Sequence, residues 1–278
     1  PLFLLSNNLF LASIVILLLA TLIRHRSTDS YRRDNVFFLI ILPLFWIAKT
    51  LLLQPEHFNT GWSMTLGLFR VAFLVMFERT LTQFMRAAFA VDILRKPALD
   101  TAIKALAAVL VFAALLPAGL AHGLELLLAA LLLGRLAFWH PLKACTRLDI
   151  GIMYLGYLAI VAQLLIDALP PPGATGWVGT VAAHVFTFGA MGLVIPAMII
   201  RIANGHTGRK VIFGGFDKAV LWIMIAALVL RLVGPQFMPA AYLRWLDLAA
   251  ACWFAAFALL AWRLIPQLAQ ARIDGREH

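Results

Sequence analysis

Long apolar runs separated by short polar segments recur along all 278 residues of the chain. The runs lack the apolar–polar alternation that the strands of a membrane barrel show. Runs of about 20 apolar residues are long enough to cross a bilayer as α-helices. The pattern therefore predicts nine membrane spans: Phe3–Ile23, Val36–Leu53, Ser63–Phe84, Thr101–Pro117, Gly123–Trp139, Asp149–Leu169, Val178–Ile200, Lys218–Gly234 and Leu243–Ile265. The fourth and fifth form either two spans or one helical hairpin.

Composition supports a membrane protein. Hydrophobic residues make up 63% of the chain and charged residues 13%, whereas soluble domains carry about 45–50% and about 25%. We expect an all-α polytopic transmembrane bundle, with residues 1–266 in a single domain and 267–278 as a cytoplasmic tail. We expect the bundle to be embedded in the lipid bilayer, which is its main binding partner.

Most lysines and arginines lie at every second turn between the predicted spans. All but four of the 23 lysines and arginines flank these turns: Arg24, Arg26, Arg32, Arg33, Arg79, Arg86, Arg95, Lys96, Lys104, Arg135, Lys143, Arg147, Arg201, Arg209, Lys210, Lys218, Arg263, Arg272 and Arg276. The intervening loops contain none: Gln54–Trp62, Ala118–His122, Pro170–Trp177 and Pro235–Tyr242. This positive-inside bias predicts an outside first residue and a cytoplasmic C-terminus. It also accounts for the net charge of +10 without a nucleic-acid partner.

His184 lies within the seventh predicted span. A histidine inside a bilayer-spanning helix suggests a ligand, a partner or a water-lined cavity. The stretch His184-Val-Phe-Thr-Phe-Gly-Ala-Met-Gly192, with Arg201 and Gly205-His-Thr-Gly-Arg209 after it, resembles the signature of the NnrS family. Members are polytopic bacterial membrane proteins that contain haem and copper and are linked to nitric oxide stress. The resemblance therefore implies a multi-pass protein of the bacterial inner membrane that binds haem b and copper.

A second match lies at the end of the third span. Arg79 and Phe84 fit an Arg-Ile-Pro-x-Phe-Thr pattern of the family, but Thr82 and Met85 replace its proline and threonine. This departure indicates a divergent member. Family members usually have more spans and an early histidine-rich motif, so we expect that N-terminal spans of the family are missing from this chain.

The resemblance implies a set of cofactor-binding residues: His184, Arg79, Arg201, His206 and Arg209. Within this set His184 and His206 are the implied metal ligands. The two histidines are about 33 Å apart along a helix that rises 1.5 Å per residue. One metal ion with ligand bonds near 2 Å cannot join them, so they predict two sites.

Three interpretations of His184 stay open at this point. Imidazole is a good ligand for copper, zinc and haem iron, and His57 and His122 are predicted at a similar depth. These three histidines could share a metal. Alternatively, His184 and a histidine from the absent spans hold a b-type haem, or His184 only makes a hydrogen bond to a neighbouring helix.

Two glycine-containing segments allow both a structural and a binding interpretation. Gly189 and Gly192 flatten one helix face for close helix packing, or for a flat macrocycle. In the predicted turn Asn204–Arg209 the glycines expose amides that could bind a phosphate or a haem propionate. The alternative is a tight cytoplasmic turn with arginines at the lipid headgroups.

Charged residues also occur in the outer halves of the predicted spans: Lys49, Arg70, Glu125, Asp167, Arg231, Arg244 and Asp247. Ionised groups at this depth usually face the bundle interior and pair with one another. They form either structural ion pairs or an outward-facing pocket whose arginines hold haem propionates or an anionic substrate.

The first functional hypothesis is a haem- and copper-binding protein of the response to nitric oxide or nitrosative stress. The alternative is a membrane transporter of a small anion or metal chelate, with Arg70, Arg231 and Asp167 along its pathway. A third hypothesis is an accessory protein for a respiratory metalloenzyme. A homo-oligomer or a respiratory-chain partner fits the first and third, and the sequence does not decide whether the chain is an enzyme.

Overall fold

The computed structural model describes residues 2–28, 32–170 and 176–275. Parts of the predicted loop Pro170–Trp177 and of the tail 267–278 therefore lie outside the described residues. The helices are α1 (Leu2–Arg24), α2 (Arg32–Leu52), α3 (Phe58–Phe89), α4 (Pro97–Val109), α5 (Ala118–Ala137), α6 (Pro141–Ala144), α7 (Leu148–Ala168), α8 (Val181–His184), α9 (Gly192–His206), α10 (Gly215–Leu232), α11 (Gly234–Phe237) and α12 (Tyr242–Leu268).

Within the described ranges, nine helical segments are long and apolar enough to cross a membrane. This finding confirms the all-α class and the predicted number of spans. Helices are expected there because lipid offers backbone N–H and C=O groups no hydrogen-bond partner, so each segment must satisfy its own. The fourth and fifth predicted spans are two separate helices, Pro97–Leu115 and Ala118–Ala137.

The described chain forms two compact units. The first comprises Pro1–Thr80 and Arg95–Leu131, and the second comprises Leu81–Leu94 and Leu132–His278. In the first unit Glu78 is 1% exposed; it pairs with Arg95, and its Oε2 lies 3.1 Å from Lys104 Nζ. Burying both signs of charge together lowers the cost of removing them from water.

The second unit is organised around α7, α9, α10 and α12. Tyr154 and Tyr157 of α7 donate hydrogen bonds to the carbonyls of Trp139 and Leu132, at 2.6 and 2.9 Å. These bonds fix α7 against the end of α5. Asp217 in the first turn of α10 accepts a bond of 3.0 Å from the Gly214 amide and pairs with Arg263 of α12.

Several helices extend beyond the predicted spans, among them α3 and α9. Helix α3 continues to Phe89, and α9 includes Arg201 and ends only at His206. The predicted polar turn therefore begins at Thr207 instead of Asn204. The helix stops there because Gly208 has a φ of +74°, a left-handed conformation that continues no right-handed helix and favours glycine.

Candidate functional site

The ring of His184 is held by the residue one helical turn before it. Its Nδ1 lies 2.8 Å from the Thr180 carbonyl oxygen and 2.9 Å from the Thr180 hydroxyl. A carbonyl oxygen only accepts, so Nδ1 carries the proton and Nε2 carries the lone pair. The backbone thus fixes the tautomer that binds metals through Nε2.

In this conformation the lone pair of His184 faces a guanidinium. Arg231 Nη2 lies 3.1 Å from His184 Nε2 and 3.4 Å from the Tyr242 hydroxyl. Arg231 Cζ lies 5.6 Å from the centre of the Tyr242 ring. We call Thr180, His184, Arg231 and Tyr242 the His184 cluster.

The positive charge of Arg231 is buried beside neutral groups. Arg231 is 9% exposed, and its hydrogen-bond partners among the described residues are His184 and Tyr242, neither of which is a carboxylate. Buried arginines are normally paired with an acid because an uncompensated charge is costly in an apolar interior. Among the described residues, no acid forms a hydrogen bond with Arg231.

Contacts between neighbouring segments hold the cluster in place. Gln236 accepts a bond of 3.0 Å from the Val178 amide and donates one of 3.1 Å to the Val178 carbonyl. Gly179 has a φ of +77°, and a Cβ at this position would lie 2.9 Å from the Tyr242 hydroxyl. The loop before α8 is therefore tied to both α11 and α12.

A π-helical segment, Val185–Met191, follows His184 directly. At its end the Gly192 amide bonds to the Thr187 carbonyl, five residues back. Such wide turns occur mostly as single turns inside α-helices, often at functional sites. Here the segment connects His184 with the regular helix α9.

The glycine face of this segment is covered by helix α7. A Cβ at Gly189 would lie 2.7 Å from Ala159 Cβ, and one at Gly156 would overlap with Val194. Gly192 lies near Met224 and Trp253. Close helix packing therefore occupies the surface at Gly189.

At the other end of the segment Val181–His206, Arg201 makes a structural ion pair. Its Nη2 lies 3.0 Å from Asp149 Oδ2 and 2.9 Å from the Asp149 carbonyl. The guanidinium carbon lies 4.1 Å from the Phe84 ring and 4.9 Å from the Phe213 ring. Arg147 also binds Asp149, through Nε at 3.1 Å and Nη2 at 3.0 Å.

The predicted anion turn is a helix cap. The Arg209 amide bonds to the Asn204 carbonyl at 2.9 Å, and the Gly208 amide bonds to the Gly205 carbonyl at 3.2 Å. These are the two bonds of a Schellman motif, which satisfies the last carbonyls of a helix. Both amides are thereby used inside the protein.

The chain's C-terminal segment covers this cap. Arg272 donates a bond of 3.1 Å to the His206 carbonyl, and the Ile273 amide donates one of 3.2 Å to the Thr207 carbonyl. Arg209 reaches Gln270 at 3.4 Å. The His206 side chain is exposed.

The model of one protein family, described as NnrS protein, matches residues 1–272 of the chain. The chain belongs to the NnrS family. No curated protein and no solved structure matches it. Family membership confirms the resemblance that the His184 and Gly205–Arg209 motifs indicated, and it supports a polytopic membrane protein.

The residues that the NnrS resemblance implied for a cofactor belong to both units. His184 and Arg201 lie at different ends of one helical segment of the second unit, and Arg79 lies half-buried in the part of α3 that belongs to the first unit. His57 and His122 are exposed in the first unit. Among the described residues there is no group of three or more His, Cys, Asp or Glu that could hold a metal ion.

The donor chemistry of His184 fits a group that needs a single protein ligand. A haem iron can be held by one imidazole, and the Nδ1–H bond to a backbone carbonyl is the usual support of such a ligand. Among the described residues, no group of three or more His, Cys, Asp or Glu surrounds His184 to add further ligands for a copper ion. A metal ion held by Nε2 would use the lone pair that accepts the hydrogen bond from Arg231.

Sequence reasoning named His184 and Arg231 but did not bring them together. It missed Thr180 and Tyr242. Thr180 lies four residues before His184, a spacing that places two side chains on one helical face, and this signal was available. The approach of Tyr242 depends on how α12 packs against α10, which the sequence pattern does not encode.

Proposed function

We propose that this NnrS family member binds haem b through His184 and serves in the response to nitric oxide or nitrosative stress. Family membership and the tautomer of His184 are the observations that support the proposal. Haem iron, when bound, would supply a metal centre for diatomic ligands. Thr180 orients the imidazole of His184 that would hold the haem, and Arg231 donates to its Nε2 in this structure.

We extend the proposal to the setting of the protein. It works in the bacterial inner membrane, as a homo-oligomer or beside a respiratory-chain partner. Copper is the second proposed cofactor. Its implied ligands are His184 and, at a separate site, the exposed His206. Metal analysis of the same preparation tests copper independently of haem.

The test uses the full chain, purified after expression with haem and copper supplied. We expect a Soret absorption band that falls roughly tenfold or more in His184→Ala, since even support residues of metal ligands cost about 10–100-fold in affinity. His25→Ala is the matched control, because His25 is exposed at the end of α1. A colourless, metal-free wild-type protein overturns the cofactor proposal.

A cell assay tests the biological role. A strain without its own NnrS gene, given the wild-type chain, should recover growth under a nitric oxide donor, and His184→Ala should not restore it. Growth restored equally by His184→Ala contradicts the role proposed for this residue.

The alternative function, transport of a small anion or metal chelate, is favoured by the buried charge of Arg231. Uptake of a small anion or metal chelate into proteoliposomes that contain the wild-type chain distinguishes transport from the haem-binding function.

A further inference from the structure

Arg231 carries a buried charge with spare hydrogen-bond donors. A guanidinium presents five N–H donors in a planar fork, and the hydrogen bonds of Arg231 within the described residues use Nη2. Its charge faces a neutral imidazole and a phenol. In an apolar helical bundle this arrangement favours a negatively charged ligand over a cation.

A second donor lies beside the guanidinium. The Tyr242 hydroxyl accepts a bond from Arg231 at 3.4 Å, and no acceptor for its own proton occurs among the described residues. Arg231 and Tyr242 can therefore both donate to one acceptor group placed between them. Gln236 is already used by the Val178 backbone and by the Leu232 carbonyl.

Part of the cluster is accessible from outside the protein. Thr180 is exposed and His184 is half-buried, whereas Arg231 is 9% exposed. The small number of donors limits the ligand to a small one.

We propose that Arg231 and Tyr242 form a binding site for a small planar oxyanion of the carboxylate, nitrite or nitrate class. A planar guanidinium binds two oxygens of such an anion through parallel N–H bonds. Bound anion neutralises the buried charge of Arg231 and draws the guanidinium from His184 Nε2. The site needs no haem, so it stands independently of the function proposed above.

The experiment measures thermal unfolding of the full chain, purified without haem, in detergent. Sodium nitrite, nitrate or acetate is added against chloride at constant ionic strength. We expect a saturable rise of the unfolding midpoint in the wild-type protein and none in Arg231→Gln. Arg244→Gln is the matched control, because Arg244 lies exposed near the start of α12 and its loss removes the same charge.

A milder variant guards against misfolding of Arg231→Gln. Tyr242→Phe keeps the ring and removes one donor, so we expect roughly tenfold weaker anion binding with the fold intact. The proposal is overturned if the wild-type protein shows no saturable, anion-specific stabilisation. It is also overturned if the anions stabilise Arg231→Gln as much as the wild type.

The same chemistry could come from a free anion or from a haem propionate, and a haem-loaded sample separates these sources. If haem abolishes the stabilisation by acetate, the propionate occupies the site. If the stabilisation persists, the natural ligand is a free anion. Both results support an oxyanion site at Arg231.

Discussion

Asp149 shows how a single residue fixes the end of α9. Its side chain is 6% exposed and contacts Arg201, whose side chain is 11% exposed, and Arg147, which is 43% exposed. The carboxylate also lies in the first turn of α7, where the partial positive charge of a helix N-terminus favours an anion. Arg201 is thereby an ion-pair partner and contacts Phe84 and Phe213 through its guanidinium face.

Replacing Asp149 by Asn should destabilise the protein by about 2–4 kcal/mol, because Arg201 would keep its buried position without a counter-charge. The free energy of unfolding in detergent, measured by denaturant titration, checks this value. Asp92→Asn is the control: Asp92 and its partner Arg86 are 67% and 72% exposed, so we expect no measurable change. Equal stabilities of the two variants contradict the structural role of Asp149.

At the scale of elements, close approach between helices depends on small residues at the α7 contact. Gly156 and Gly189 lie where a Cβ would meet Val194 or Ala159. Helices in lipid gain little from the hydrophobic effect, so their association depends on such close packing. The sequence shows the small residues around Gly189, but it does not predict that α7 packs against them.

Gly189→Ala should destabilise the protein by about 1–3 kcal/mol, since the added methyl group overpacks the contact with Ala159. Gly134→Ala, the matched control, should stabilise it by about 0.5–1 kcal/mol. A Cβ at Gly134 has no heavy atom within 4 Å, and alanine is the better helix former. Unfolding midpoints of both variants provide the measurement. The same sign for both changes is the result that contradicts helix packing at Gly189.

Element boundaries show the limit of pattern reading. Apolar runs predicted each span because lipid permits only continuous hydrogen-bonded helix in such a segment. The π-helical turn after His184 changes the hydrogen-bond register without changing apolar content, so no apolar pattern reveals it. Gly208 was noted as a flexible glycine, but only the backbone bonds of Gly208 and Arg209 identify it as a helix cap.

At the scale of the whole chain, the sequence predicts where charged residues lie better than what they contact. It placed Arg231 within a span, which the structure confirms. It could not choose between ion pair and pocket, because that choice depends on which helices are neighbours. In the second unit the described hydrogen bonds of Arg231 go to His184 and Tyr242 and not to a carboxylate.

Contacts in the second unit also group the segments predicted to be cytoplasmic. Lys143 and Arg147 lie 5.7 and 5.9 Å from the Phe89 ring at the end of α3, and Arg201 at the end of α9 contacts Asp149. The segment Val178–Thr180, at the predicted outer end of the seventh span, contacts Gln236 and Tyr242 instead. This separation is what antiparallel spans require.

The orientation of these groups in the membrane gives the last prediction. Cys145 is exposed between α6 and α7, and Cys252 is half-buried in α12. In a Cys252→Ser background, a membrane-impermeant thiol reagent added to intact cells should label Cys145 only after the membrane is permeabilised. The positive-inside bias predicts this result, because it places the basic residues around Cys145 in the cytoplasm.

A second cysteine provides the matched control for this topology. His57 is exposed in the loop Gln54–Trp62, which has no basic residue except this histidine. In a chain that also carries Cys145→Ser, His57→Cys should react with the reagent before the membrane is opened. Labelling of Cys145 before the membrane is opened would reverse the predicted orientation and place the His184 cluster toward the cytoplasm. Its anion would then come from the cytoplasm, so this measurement also decides on which side ligand must be supplied.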